Sequence, residues 1–301
     1  MPKSIGKDEI EQFIAEGVYS PQTQKVYRFT LNKFVKFAKP GKRGWELRAL
    51  KFRDSHDCGS YGKALYIAVA KSFLRWCFDE GLVGRNPLGK VRIKPPKKSN
   101  RTALTGDESR ALQNHLNKLV NKTTGMAHLI AHRDRSAIIF MMYTGMRIGG
   151  VMEVCTGDFE QREDAMIVNY KCKGHLDKDS TVFVGSEPIA AITDYLEATG
   201  RSWEDDCRIW VRHDGENKGK PITYNGFSRP IMRRFREAGI DRPDACPHIL
   251  RHTAASIALE NGATIRQIQE MLGHSSYNIT ENYVHSFGKF KDSAEGKISY
   301  D

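Results

Sequence analysis

The stretch HILRHTAASIALENGATIRQIQEMLGHSSYNITENYVH, residues 248–285, holds most of the chemistry-bearing side chains of this chain. His248 and Arg251 stand one helical turn apart, on one face of the helix that the apolar spacing predicts. His252 lies four residues from His248, so a metal pair is conceivable there. No acid lies between the two histidines as HExxH chemistry requires, and no other cluster has obvious ligand spacing. No metal or other cofactor is therefore expected. Helix breaks are expected at Gly262 and from Gly273 to Ser276. His274 follows a glycine that ends a helix and could simply cap it. Tyr283 comes nine residues later in a polar setting, where it could pack or react.

Two further stretches belong with this one. In YTGMRIGGVMEV, residues 143–154, Arg147 sits inside an apolar helical pattern just after Gly145. Burying a cation unpaired is costly, so an internal carboxylate is the simplest partner. In KCKGHLDK, residues 171–178, Lys173 precedes Gly174 in a basic turn. Strand-like runs at Met166–Tyr170 and Thr181–Val184 flank that turn, as in a β-hairpin. A lysine on a hairpin tip is ordinarily just solvated.

Taken together, Arg147, Lys173, His248, Arg251, His274 and Tyr283 form a kit for phosphoryl transfer at a DNA phosphodiester. Arginines clamp non-bridging oxygens in a planar fork. Histidines donate to the same oxygens or move protons near neutral pH. The lysine can protonate a departing alkoxide. The tyrosine can attack and hold the phosphate as an ester, which conserves bond energy for rejoining without ATP. Three cations around the phosphate make a metal unnecessary.

These residues resemble those of the tyrosine site-specific recombinase family, the phage and plasmid integrases and Xer-type resolvases. TGMRIGG is similar to the segment carrying the family's first arginine, HILRH to its H-x-L-R-H box, and LGHSS with Tyr283 to its second histidine and nucleophile. Lys173 matches the hairpin lysine, with Lys171 and Lys178 close by. The likeness covers about residues 8–288. It departs after Arg147, where Gly149-Gly150-Val151 stands in place of Ser-Glu-Leu and Glu153 comes two residues later than the family's acid. The resemblance implies Tyr283 as nucleophile, His248 as base and His274 as a hydrogen-bond donor to the phosphate. It also implies a 3′-phosphotyrosine, a free 5′-hydroxyl, an inverted-repeat core site on double-stranded DNA, and a homotetramer. Residues 286–301 hold Phe287, Phe290 and Ile298 among charges, too few apolar groups for a core of their own, so this C-terminal tail is expected to pack on a neighbouring protomer. Accessory DNA-bending proteins would be further partners. The expected fold is mainly α with a small β-sheet: a helical core-binding domain plus an α+β catalytic domain.

Composition agrees with a polyanionic partner. The 301 residues carry 47 Lys and Arg against 36 Asp and Glu, a net charge of +11. An excess of that size points to nucleic acid or an anionic membrane, and the lack of a basic amphipathic anchor helix favours nucleic acid. No apolar run approaches the ~18 residues of a membrane helix, and the charged N-terminus does not read as a signal peptide. Cys58, Cys77, Cys155, Cys172, Cys207 and Cys246 are scattered without a CxxC pair, as expected of free thiols in a reducing cytoplasm.

Length alone suggests two domains. The expected division is 1–90 for a helical core-site DNA-binding domain, 91–104 for a basic linker and 105–301 for the catalytic domain and tail. Lys90, Arg92, Lys94, Lys97, Lys98 and Arg101 surround Pro95-Pro96 with no acid among them, so the linker is expected to lie on DNA. Before it, Ser20 and Pro21 read as the start of a helix. Tyr27, Leu31, Phe34 and Ala38 form its apolar stripe, and Lys25, Arg28, Lys33 and Lys36 lie off that stripe as DNA-binding candidates. Residues 61–80 read as a second helix ended by Gly81, and 105–120 and 133–155 as helices after the linker. Three other functions use parts of the same pattern. A type IB topoisomerase would act as a monomer. A regulator would bind DNA without cutting it. A metal hydrolase would rest on His248 and His252.

Overall fold

A computed structural model of the chain describes residues 5–38, 45–55, 59–92, 102–163, 165–171, 178 and 180–273. The chain divides into two units, Met1–Ser99 and Asn100–Asp301.

The described residues of the first unit form four helices, α1 (Lys7–Glu16), α2 (Pro21–Ala38), α3 (Trp45–Asp54) and α4 (Ser60–Asp79). The start of α2 is set by Ser20, whose Oγ accepts the Thr23 amide at 3.2 Å, and by Pro21 in the first helical position. Leu31 and Phe34 are fully buried and Tyr27 is half-buried, stacked on Phe13. The side chain of Ala38, the fourth member of the expected stripe, lies outside the described residues. Helix α4 buries Ile67, Phe73, Leu74 and Cys77, each large apolar side chain contributing roughly 1.5–3 kcal/mol. Burial pushes the Cys77 thiol up to about 12. Gly81, at φ +68°, follows the end of the helix where the residue pattern places it.

In the second unit the described residues form helices and a three-stranded sheet, and Val168, Tyr170 and Val182 of the sheet join the core that the helices bury. Helix α5 (Gly106–Lys122) opens on a reciprocal cap, with Thr105 Oγ1 accepting the Glu108 amide and Glu108 accepting that of Thr105. Helix α6 spans Gly125–Thr144 rather than the expected 133–155. It ends because Gly145 adopts the left-handed conformation, φ +63°, and its N–H closes on the Met141 carbonyl. A short α7 (Ile148–Val151) follows.

Strands β1 (Phe159–Arg162), β2 (Ala165–Tyr170) and β3 (Ser180–Phe183) form an antiparallel sheet in the order β1-β2-β3, with Phe159 opposite Val168 and Val168 opposite Val182. The β2–β3 pair is the expected hairpin. Strand β1, whose Glu160, Gln161 and Arg162 are exposed, offers no apolar alternation from which to read it. Helices α8 (Ser186–Ala198), α9 (Tyr224–Glu237), α10 (His248–Glu260) and α11 (Ile265–Leu272) follow among the described residues.

Helix α6 is the hub of this unit. It packs against α5, α8 and α10 and buries Ile138, Phe140 and Met141. Trp210 lies against Phe140, ring centroids 5.2 Å apart, and its Nε1–H donates to Ser136 Oγ at 3.0 Å. The Tyr195 hydroxyl and His213 Nε2 are 2.8 Å apart, both buried. Burial, then the charges of Arg133 and Arg201, pulls the His213 imidazole down to about 4. Cys77, Cys155, Cys207 and Cys246 are free thiols, whereas Cys58 and Cys172 lie outside the described residues. No described helix is long and apolar enough to cross a membrane.

Candidate active site

Arg147 does not sit inside a helix. It is the extended residue, φ −70° and ψ 141°, between the left-handed Gly145 and the first turn of α7. Its side chain is half-buried, and among the described residues it has no carboxylate partner. The expected internal ion pair is absent there, and Glu153 is exposed. The reason lies in the turn: ending α6 at Gly145 swings Arg147 out of the apolar face that a continuous helix would have given it.

His248 and Arg251 occupy the first turn of α10, as their spacing predicts. Arg251 is 1% exposed. Its Nη1 donates to the Gly145 carbonyl at 2.8 Å and its Nη2 to the Leu272 carbonyl at 2.5 Å. Gly145 is the C-cap of α6 and Leu272 the last residue of α11, so the guanidinium sits on the negative ends of two helices. The site is tight. A Cβ on Gly145 would come within 3.1 Å of Leu272 Cδ2, 3.3 Å of Met271 Cε and 3.5 Å of Ala254 Cβ. Gly145 therefore meets two demands at once, a positive φ and the close approach of α10 and α11. The His248 and His252 rings stand edge to face, 5.0 Å between centroids. Among the described residues, no group of three or more His, Cys, Asp or Glu is placed to hold a metal.

The hairpin base meets the same turn. The site of a Gly150 Cβ is 3.4 Å from Tyr170 Cδ2 and 3.7 Å from the Lys171 carbonyl, so α7 abuts the end of β2. Of the three hairpin lysines, Lys178 is committed. Its Nζ lies 2.5 Å from both oxygens of Asp158, which also accepts the Cys155 amide at 2.7 Å. Lys171 is half-buried. Lys173, His274 and Tyr283 lie outside the described residues.

The first unit gathers four of the proposed DNA contacts. Lys25, Arg28, Lys33 and Lys36 line one hollow of about 380 Å3 along α2, together with Phe29 and Asn32. They are not equivalent. Arg28 is held by a two-pronged pair to Glu11 at 2.7–3.1 Å, which keeps the Glu11 carboxyl below its usual range. Lys33 lies over the Phe29 ring, 4.3 Å from its centroid. Arg92 is exposed, while Lys94, Lys97, Lys98 and Arg101 lie outside the described residues. Residue spacing did not reveal the cluster around Asp134, where Arg133 and Arg234 are both buried. The only local sign of it is the charged run Arg133-Asp134-Arg135 directly ahead of an apolar one.

The phage integrase family matches residues 103–289, which include all of this geometry from the α5 cap onward. The chain belongs to that family and is a tyrosine recombinase, an enzyme of DNA strand cleavage and rejoining. Among its relatives, tyrosine recombinase XerC of Corynebacterium efficiens is 30% identical over 259 residues, covering 85% of this chain and 76% of that one. XerC of Lactobacillus delbrueckii subsp. bulgaricus is 27% identical over 292 residues, covering 91% and 93%. Two solved structures share the fold. The XerH site-specific recombinase in a post-cleavage complex with a palindromic difH substrate has a TM-score of 0.71 at 19% identity, covering 93% of this chain and 81% of that one. A lambda integrase (75–356) dimer on a COC′ core site has 0.70 at 16%, covering 98% of each.

Proposed function

We propose that the chain recombines DNA at a specific core site through a covalent 3′-phosphotyrosine. Tyr283 Oη attacks the scissile phosphorus, forming the Tyr–P bond as the P–O5′ bond breaks. His248 takes the phenolic proton and Lys173 supplies one to the leaving 5′-oxygen. Arg147, Arg251 and His274 hold the non-bridging oxygens, so that charge developing on them meets fixed donors. No metal or ATP enters this scheme. The observation that supports it most is the Arg251 bridge, because it links the segment before Arg147 to the segment before His274.

The test is a nicked suicide duplex whose cut strand cannot be resealed. Wild-type chain should be trapped as a protein–DNA adduct and Tyr283→Phe should not. Adduct formation by Tyr283→Phe would overturn the assignment.

The helices of residues 1–90 and the cations of 91–104 are the proposed DNA clamp around an inverted-repeat duplex, with 105–301 as the catalytic domain. XerH was captured on a palindromic difH substrate and a lambda integrase dimer on a COC′ core site, which favours a DNA partner here. We further propose assembly as a homotetramer in which residues 286–301 pack on a neighbouring protomer, with accessory DNA-bending proteins where the site requires them. Deleting residues 287–301 should spare single-site binding and reduce tetramer formation and recombination. Tetramers and recombination at the full-chain level would refute tail exchange.

A further inference from the structure

A second cationic centre lies in the catalytic unit and shares no residue with the site above. A hollow of about 420 Å3 opens between α6, the segment around residues 212–222 and the first turns of α9. Ile130, Ile222 and Pro230 form its apolar wall. Arg133, Arg212, Arg229 and Arg233 line the rest, with Asp214 the one acid among the lining residues.

This hollow is built rather than incidental. The side chain of Arg133 is only 8% exposed, and its Nε and Nη2 both donate to Asp134 Oδ1, at 3.1 and 2.7 Å. The other Asp134 oxygen accepts Nε and Nη2 of the buried Arg234, at 3.0 and 2.7 Å. Arg233 stands 3.9 Å from the same oxygen. Glu237 takes Arg234 Nη1 at 2.8 Å and Arg233 Nε at 3.7 Å, and also contacts His115 at 3.1 Å. Arg212 reaches Asp214 at 3.4 Å. Arg229 is exposed and has no carboxylate partner among the described residues. Four arginines, Arg133, Arg212, Arg233 and Arg234, thus share three carboxylates, and Arg229 adds a fifth guanidinium beside them. Holding like charges together at this density, part of it buried, is unfavourable unless an anion completes the set.

The geometry of the donors narrows the anion. Asp134 fixes the Arg133 guanidinium in one plane, and a fixed planar fork matches phosphate oxygens. The start of the 14-residue α9 lies at the rim with Asn225 and Gly226, adding a positive helix end to the same space. We propose that this hollow grips a backbone phosphate of the bound duplex, a second anchor on the DNA distinct from the scissile phosphate. The proposal rests on the DNA-cleaving activity of the family. It assigns to Arg229, Arg212 and Arg233 a role in binding and none in bond breaking.

The test uses the full chain and Arg229, the member whose removal strands no buried partner. Binding of a short duplex of arbitrary sequence is measured across a salt series for wild type, Arg229→Ala and Arg229→Lys. The proposal expects Arg229→Ala to weaken binding and to reduce the log–log salt slope by roughly 0.9, the value for one lost phosphate contact, with Arg229→Lys recovering most of both. Duplexes carrying single neutral methylphosphonates should include one position at which wild type and Arg229→Ala bind alike. Binding is read here without cleavage, and Tyr283→Phe should keep the wild-type slope and affinity, which separates this result from any failure of the catalytic assignment. A wild-type slope and affinity in Arg229→Ala would overturn the proposal. So would calorimetric binding of ATP that depends on Arg229 while the duplex slope does not, since the hollow would then serve a free nucleotide.

Discussion

Arg251 Nη1 lies 2.8 Å from the carbonyl oxygen of Gly145, two residues before Arg147 in the chain. The same guanidinium reaches Leu272, two residues before His274. Arg251 is thus a tie between motif segments as well as a proposed phosphate clamp. Arg147, half-buried and with no carboxylate partner among the described residues, has only the second role. Each should cost on the order of 10²–10³ in cleavage rate when replaced by alanine. Their effects on folding should differ. Arg251→Ala leaves two buried helix-end carbonyls without this donor, at about 1–3 kcal/mol each. Arg147→Ala should stay within about 0.5 kcal/mol of wild type. Chemical denaturation reads the difference, and equal stabilities would refute the tie.

Gly145→Ala tests the same junction without touching a charge. The left-handed conformation costs a residue with a Cβ roughly 1–2 kcal/mol, and Leu272 Cδ2 at 3.1 Å must also give way. Hydrogen exchange should rise across residues 265–272, and cleavage should fall although all six proposed site residues remain. Unchanged protection in α11 would mean that the contact carries no coupling.

The lysine assignment can be read with a 5′-bridging phosphorothiolate, whose leaving sulfur needs no proton. This substrate should rescue Lys173→Ala and should not rescue Arg147→Ala. Lys178→Ala should show no leaving-group defect, because Lys178 is held by Asp158. Rescue of Lys171→Ala in place of Lys173→Ala would move the acid to the end of β2.

Along α2 the four cations should contribute unequally to DNA binding. Lys33→Ala and Lys36→Ala should each lower the salt slope by roughly 0.9. Arg28→Ala should lower it less, since Glu11 already neutralises Arg28 in the free chain. Equal slopes for the three variants would indicate that DNA displaces Glu11.

His213 should impose a pH dependence on folding. Its pKa in the folded chain, about 4, lies below the ordinary imidazole value of 6.5, so between these values the unfolded chain binds the extra proton. Stability is then complete above pH 6.5 and falls with acidification at up to about 1.4 kcal/mol per pH unit, until pH 4. His213→Gln keeps a polar partner for Tyr195 and cannot titrate there, so it should flatten the slope by one proton. An identical slope in the variant would assign the acid sensitivity to other groups.

Much of this was legible from residue spacing. Ser20-Pro21 marked the start of α2, Gly81 followed the end of α4, and the two β-branched runs paired as β2 and β3, because caps and periodicities are local. His248 and Arg251 fell on one helix turn for the same reason. What was not legible depended on contacts far apart in sequence. Arg147 belongs to an apolar run that reads as one helix, and only the packing of Leu272 and Met271 against Gly145 shows why that helix stops. The buried state of Arg133 follows from Arg234, a hundred residues away, sharing Asp134. Strand β1 carries three exposed polar residues, so its pairing with β2 leaves no trace in hydrophobic pattern.

The chain just before α5 is fastened to the catalytic unit residue by residue. Thr102 N–H and Oγ1 meet Asp244 at 3.0 and 3.2 Å, Arg242 Nη2 donates to the carbonyls of Thr102 and Ala103, and the Leu104 amide donates to the buried Thr253 Oγ1 at 2.9 Å. Thr253 is two residues from Arg251 on α10. A fragment that keeps these hydrogen bonds therefore begins at residue 102 and not at the first residue of α5. A protease cut ahead of Thr102 would release a piece with these bonds intact. A cut four residues later would strip the cover from Thr253 and loosen the helix that positions Arg251.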